Sequence, residues 1–311
     1  ILAHFAAKGK LFGNFPVVYG SLKCQILLTN GLIPCTMGVL RKEKERRRSI
    51  MARKLFCQLS PFCYRISVEK EILLRNIRDF ISPVRFAKRR EEEPLPALIK
   101  GHRSPMLRQL AGVDMQLQYN KETNLRLAGE RIHGLIIEPG QTFSFWHTVG
   151  RTTARKGYLP GLTIGAGRLG AETGGGLCQL ANLIHWMVLN SPLTVTELHH
   201  HTDALFPDSG RRVPFGTGTS IFYKNVDYRF RNDTDTPVQL LIWQEGHDLC
   251  GELRAQHAFP YRWRIIEEDH HFQREADGHY YRCSRIYRAK IDCEGNELDR
   301  ELLLINHSQV M

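Results

Sequence analysis

The stretch that most constrains this chain is Gly174-Gly175-Gly176-Leu177-Cys178-Gln179, in which three glycines run straight into an apolar segment. Over residues 177–190, Leu180, Leu183, Ile184, Met187 and Val188 fill one face at helical spacing, and Trp186 and Leu189 take part of the other. A helix this apolar has little polar surface to turn toward water, so it belongs inside a core. The glycines let the backbone turn sharply and approach another segment or a ligand immediately before it.

What surrounds the helix is read from the periodicity on either side. Downstream, residues 194–201, 228–232, 238–243, 249–253, 280–290 and 301–306 read as strands, with Asp233-Thr234-Asp235-Thr236-Pro237 as a turn. Upstream, Ile66, Leu73, Ile77, Phe80 and Ile81 predict a helix over 66–81 that Pro83 closes, followed by a charged, proline-punctuated linker around 88–96. A second helix is expected over 121–133, then a strand at 135–137, a Pro139-Gly140 turn and an extended run at 142–146. Residues 150–176 are glycine-dense and read as a winding loop or successive tight turns. The expected fold is α+β: a mainly antiparallel sheet with a buried helix carrying Cys178, preceded by a small helical N-terminal region. The expected division is 51–110 for that region and its linker, 111–255 for the central domain and 256–311 for a strand-rich extension.

Charge enters because the chain carries a net +11, which raises nucleic acid as a partner. Residues 1–50 hold nine Lys or Arg against Glu43 and Glu45, so most of that excess sits in one segment. Every residue from Arg41 to Arg48 can be encoded by purines alone, as in a ribosome-binding site, and Met51 follows closely. Residues 1–50 are therefore expected to be translated leader or a disordered basic tail, and nucleic-acid binding is not expected. After Met51 there is no apolar core of secretory length, and no segment reads as a membrane span, so the expected location is cytoplasmic. The eight cysteines include no Cys-x-x-Cys pair.

Cys178 falls in the first turn of its helix, where unpaired amides and the helix dipole favour a thiolate, the nucleophilic form. The alternative is a small residue buried on a well-packed helix. A base is available downstream, because alternation on the 194–201 strand puts Glu197, His199 and His201 on one face. His199 or His201 would take the thiol proton, with Glu197 or Asp203 orienting the ring. A zinc site of Cys178, His199 and His201 lacks a fourth ligand, so no metal or other cofactor is expected. His185 lies two turns along the helix, too far to serve Cys178. Gly165-Ala166-Gly167-Arg168-Leu169-Gly170 matches a dinucleotide fingerprint in letters only, because no helix follows it.

Five stretches carry a resemblance: 139–146, 157–162, 174–179, 197–201 and 231–235, the Gly-Gly-Gly-x-Cys-Gln core being the most specific. Together they resemble the VanW family, most strongly over 121–253. The resemblance implies an accessory role in glycopeptide resistance and cell-wall metabolism. Some exported multidomain relatives are linked to L,D-transpeptidase activity through a cysteine acyl-enzyme. Carried over, it makes Cys178 the nucleophile, with His199 or His201 as base and Glu197 behind it, and Gly174, Gly175, Gly176 and Gln179 as the substrate-binding turn. The partner so implied is a peptidoglycan precursor or stem peptide. The alternative is a non-catalytic cytoplasmic accessory protein that binds such a precursor or a protein partner. The chain departs from the family at 216–220, where relatives have Gly-x-Asp-Ala-Thr and Gly218 stands in place of the aspartate.

Overall fold

A computed structural model describes residues 55–108, 114–165, 168–200, 213–214 and 216–309. The expected leader at 1–50, His201, Asp203, and Ala166 and Gly167 of the dinucleotide-like run lie outside the described residues. The described residues fall into two compact units, divided between Lys70 and Glu71. Helix α1 is Pro61–Ile81.

The centre of the second unit is a four-stranded antiparallel sheet. Its members are β1 (Ala97–Pro105), β2 (Leu135–Ile137), β8 (Val238–Glu245) and β9 (Asp248–Ala255), in the order β1-β9-β8-β2. Strand β8 opens with five consecutive buried residues, the mark of a strand covered on both faces. Helix α2 (Met115–Ile132), capped by the Asp114 carboxylate on the Gln116 amide, packs on β8. Gly129 lies against it, where a Cβ would stand 3.0 Å from Ile242 Cγ2. Helix α4 (Cys178–Leu189) packs on β9 at Gly251, where a Cβ would lie 2.5 Å from Leu183 Cδ2 and 3.0 Å from Met187 Cε. The apolar helix is thus buried on a mainly antiparallel sheet, as its pattern requires.

A second sheet of β3 (Thr142–Ser144), β6 (Thr194–Glu197) and β7 (Arg229–Arg231) runs in the order β3-β7-β6. Phe143 and Phe230 stack across it at 5.0 Å, beside Tyr228. The remaining strands are a hairpin, β4 (Pro160–Gly165) and β5 (Arg168–Thr173), and a long antiparallel sheet, β10 (Arg262–Arg274), β11 (Tyr280–Ile291) and β12 (Glu297–Gln309).

Three local expectations are revised. The run after Ser144 is not extended: Ser144 Oγ accepts from the His147 amide at 3.1 Å and starts a short helix, α3 (Phe145–Val149). The glycine-dense stretch holds the β4–β5 hairpin instead of only turns. The expected linker is docked by its backbone, with Ala87 N on Thr142 O at 3.0 Å and Ile136 N on Arg89 O at 2.9 Å, and residues 97–105 supply β1. Backbone pairing needs no side-chain period, so the composition of that stretch gave no sign of it.

Candidate functional site

The glycine turn is filled by protein. A Cβ on Gly175 would stand 2.1 Å from the Gly161 carbonyl oxygen, so the turn passes backbone against backbone. Gly176 has φ +93°, and a Cβ there would meet the Lys121 stem at 2.2 Å. The fully buried Asn124 ties the assembly together, donating to Leu159 O at 2.9 Å and Gly175 O at 3.0 Å and accepting from Leu159 N at 2.8 Å. Lys121 is itself buried, and loss of solvation pushes its ammonium down to about 8. Gln179 turns toward the end of β1, where its amide donates to Ser104 Oγ at 2.9 Å and Pro105 O at 2.8 Å.

Cys178 is the first residue of α4 and is part-buried. Its thiol donates to the Ile221 carbonyl at 3.8 Å. Burial pushes the thiol up, and backbone hydrogen bonds at Ile221 and Cys178 offset that only in part. The shift runs opposite to the lowering expected at a helix start, because desolvation of a thiolate outweighs the dipole here.

Strand β6 ends at Glu197, so His199 lies just beyond it. His199 Nε2 sits 3.1 Å from Glu197 Oε1, the pairing expected of an oriented imidazole. No hydrogen bond joins His199 to Cys178 among the described residues. They share a segment instead: His199 O accepts from Ser220 N at 2.6 Å, one residue before the Ile221 carbonyl that receives the thiol. Asn182, one turn along α4 from Cys178, accepts from Thr219 N at 2.6 Å. A Cβ on Gly218 would reach Asn182 at 3.4 Å, an ordinary contact, so Gly218 faces the Cys178 helix.

Glu197 also belongs to a buried ionic cluster that the sequence did not suggest. Arg75 contacts it, and Arg229 Nε lies 3.5 Å away. Burial would raise the Glu197 carboxyl, but His199, Arg75 and Arg229 outweigh it and hold the group at about 2. Asp227, 1% exposed, accepts from Ser144 Oγ at 2.5 Å, Trp146 N at 3.1 Å and Arg229 Nε at 2.8 Å. Arg75 and Asp79 stand four apart on α1, which the sequence shows only as a polar helix face. Asp227 precedes a strand and carries no motif. Among the described residues, no three His, Cys, Asp or Glu lie in a metal-binding arrangement. No described helix is long and apolar enough to cross a membrane.

The fold and site define an α+β domain whose central helix begins with a cysteine behind a close-packed glycine turn. The family model of VanW-like proteins matches residues 120–254. The vancomycin B-type resistance protein VanW of Enterococcus faecalis is 31% identical over 220 residues, covering 70% of this chain and 80% of that protein. The uncharacterized protein YoaR of Bacillus subtilis is 29% identical over 147 residues, 47% of either chain. No solved structure matches. The chain belongs to the VanW family.

Proposed function

We propose that this protein is a non-catalytic accessory factor of glycopeptide resistance that binds a peptidoglycan precursor or stem peptide, with Cys178 as a packing residue. The observation that carries this reading is the state of the thiol: it donates to Ile221 O, burial raises its pKa, and no hydrogen bond joins it to His199 among the described residues. A nucleophilic cysteine needs the reverse on each count. The link to resistance rests on the name of the enterococcal relative. The test is complementation of a deletion strain, scored by vancomycin susceptibility. The Cys178→Ser protein keeps a hydroxyl donor for Ile221 O and should complement as well as the parent; loss of complementation by a folded variant contradicts the reading.

A second reading keeps the enzyme. Segment 219–221 holds His199 by its backbone and Cys178 by its thiol, so a shift of that one segment would release the sulfur beside the His199–Glu197 pair. Cys178 would then attack a stem-peptide carbonyl, the scissile C–N bond breaking as the thioester forms and the departing amine taking the proton that His199 had removed from the thiol, with amides at 176–178 for the oxyanion and His201 an alternative base. Incubation with a stem tetrapeptide followed by intact mass distinguishes the two: an acyl adduct on Cys178 supports the enzyme, and an unmodified chain supports the binder.

A further inference from the structure

A cavity of about 340 Å3 lies between the far half of α4, β6 and the C-terminal sheet, with walls that include Leu189, Leu198 and Ile286. Thr194, His200, Thr217 and Glu301 line it as well, and two further polar groups bear on what it could hold. His185 is 1% exposed, and its Nδ1 lies 3.1 Å from the Tyr228 hydroxyl. His185 lines the cavity, and its ring makes no second hydrogen bond among the described residues. Burial pushes His185 down to about 3, so at neutral pH the ring is uncharged. Where the Tyr228 hydroxyl donates to Nδ1, Nε2 carries the proton and is a donor.

The second group is Arg288. Its Nη2 donates to Ser191 O, and its guanidinium lies 5.7 Å from the centre of the Trp263 ring. Nη1 is 3.9 Å from the Glu301 carboxylate, too long for a hydrogen bond, and that carboxylate is 63% exposed. A guanidinium fork is therefore held in a chamber of mixed aliphatic and polar lining, its Nε without a hydrogen-bond partner and its counter-charge largely exposed. A donor pair of one cation and one neutral imidazole suits a monoanion better than a phosphate dianion. Glu301 at the mouth disfavours a bare anion but complements an ammonium group beside it. The aliphatic wall takes an apolar side chain.

We propose that this cavity binds a small aliphatic α-amino acid, its carboxylate on Arg288 and His185, its ammonium toward Glu301 and its side chain against Leu189, Leu198 and Ile286. This does not depend on either reading of Cys178. The cavity exceeds the volume of one such molecule, which leaves room for water or one more residue.

The test is calorimetric titration of the full chain with leucine, leucinamide and 4-methylpentanoate. Leucine should bind, leucinamide should not, and 4-methylpentanoate should bind more weakly because it lacks the ammonium. Arg288→Gln should weaken leucine about tenfold or more, equivalent to ~1.4 kcal/mol. Because that variant also loses its ring contact, the parent protein is followed in parallel by NMR, where leucine should shift the His185 imidazole resonances and leucinamide should leave them in place. Leucinamide binding as well as leucine, no leucine binding up to about 10 mM, or unmoved His185 resonances on leucine addition would each overturn the assignment.

Discussion

Arg229 grips Asp79 with both terminal nitrogens, Nη1 to Oδ1 at 2.9 Å and Nη2 to Oδ2 at 2.7 Å. The two side chains are 11% and 13% exposed, so this pair, unlike a surface ion pair, is largely withdrawn from water. The same guanidinium reaches Asp227 and Glu197, which couples α1 to the β3-β7-β6 sheet and to the candidate site.

Removing one partner from such a pair strands the other. Asp79→Ala should cost about 3 kcal/mol, at the low end for a broken buried pair because Asp227 still holds Arg229. Denaturant unfolding measures it. A change below about 0.5 kcal/mol would place this pair with exposed ion pairs.

Two groups give acid sensitivity in windows that overlap only in part. Glu197 has a folded value of about 2, below its unfolded value near ~4.3, so its contribution is full above that pH and is lost as pH falls toward 2. His185 has a folded value of about 3 against an unfolded value near ~6.5, so its contribution is full above pH ~6.5 and lost as pH falls toward 3. Unfolding free energies measured from pH 7 downward should therefore decline in both ranges. Glu197→Gln should flatten the lower range and His185→Asn the upper one, and unchanged slopes would contradict these assignments.

The glycines separate by what faces them. Gly175→Ala sets a methyl group 2.1 Å from the Gly161 carbonyl oxygen and should destabilise by more than about 2 kcal/mol. Gly218→Ala meets only Asn182 at 3.4 Å and should cost less than about 1 kcal/mol. Paired thermal melts check this, and equal effects would show that the turn yields where the packing says it cannot.

Much of this architecture was legible in sequence because periodicity reports burial. The α4 helix, the 135–137 strand and the strands around 238–243, 249–253, 280–290 and 301–306 carry helical apolar spacing or short apolar and alternating runs, and each is present. Strand β1 and the hairpin β4–β5 were not legible: β1 is an edge strand held by backbone bonds, and the hairpin is built among glycines. At the site, Glu197 and His199 are in contact, but the strand alternation that set them on one face stops at Glu197. The ionic cluster was not legible, because Asp79, Glu197 and Asp227 come from segments far apart in the chain. Nor was the raised Cys178 thiol, since helix position is visible in sequence and desolvation by a distant carbonyl segment is not.

The most direct measurement is the alkylation rate of Cys178 against pH, read by mass spectrometry on the folded full chain with exposed Cys293 as reference. The expected result is that Cys178 reacts more slowly than Cys293 and titrates above ~8.5, the unperturbed thiol value. Rapid reaction of Cys178 well below that pH would mean a stabilised thiolate at the head of α4, and would contradict the non-catalytic account.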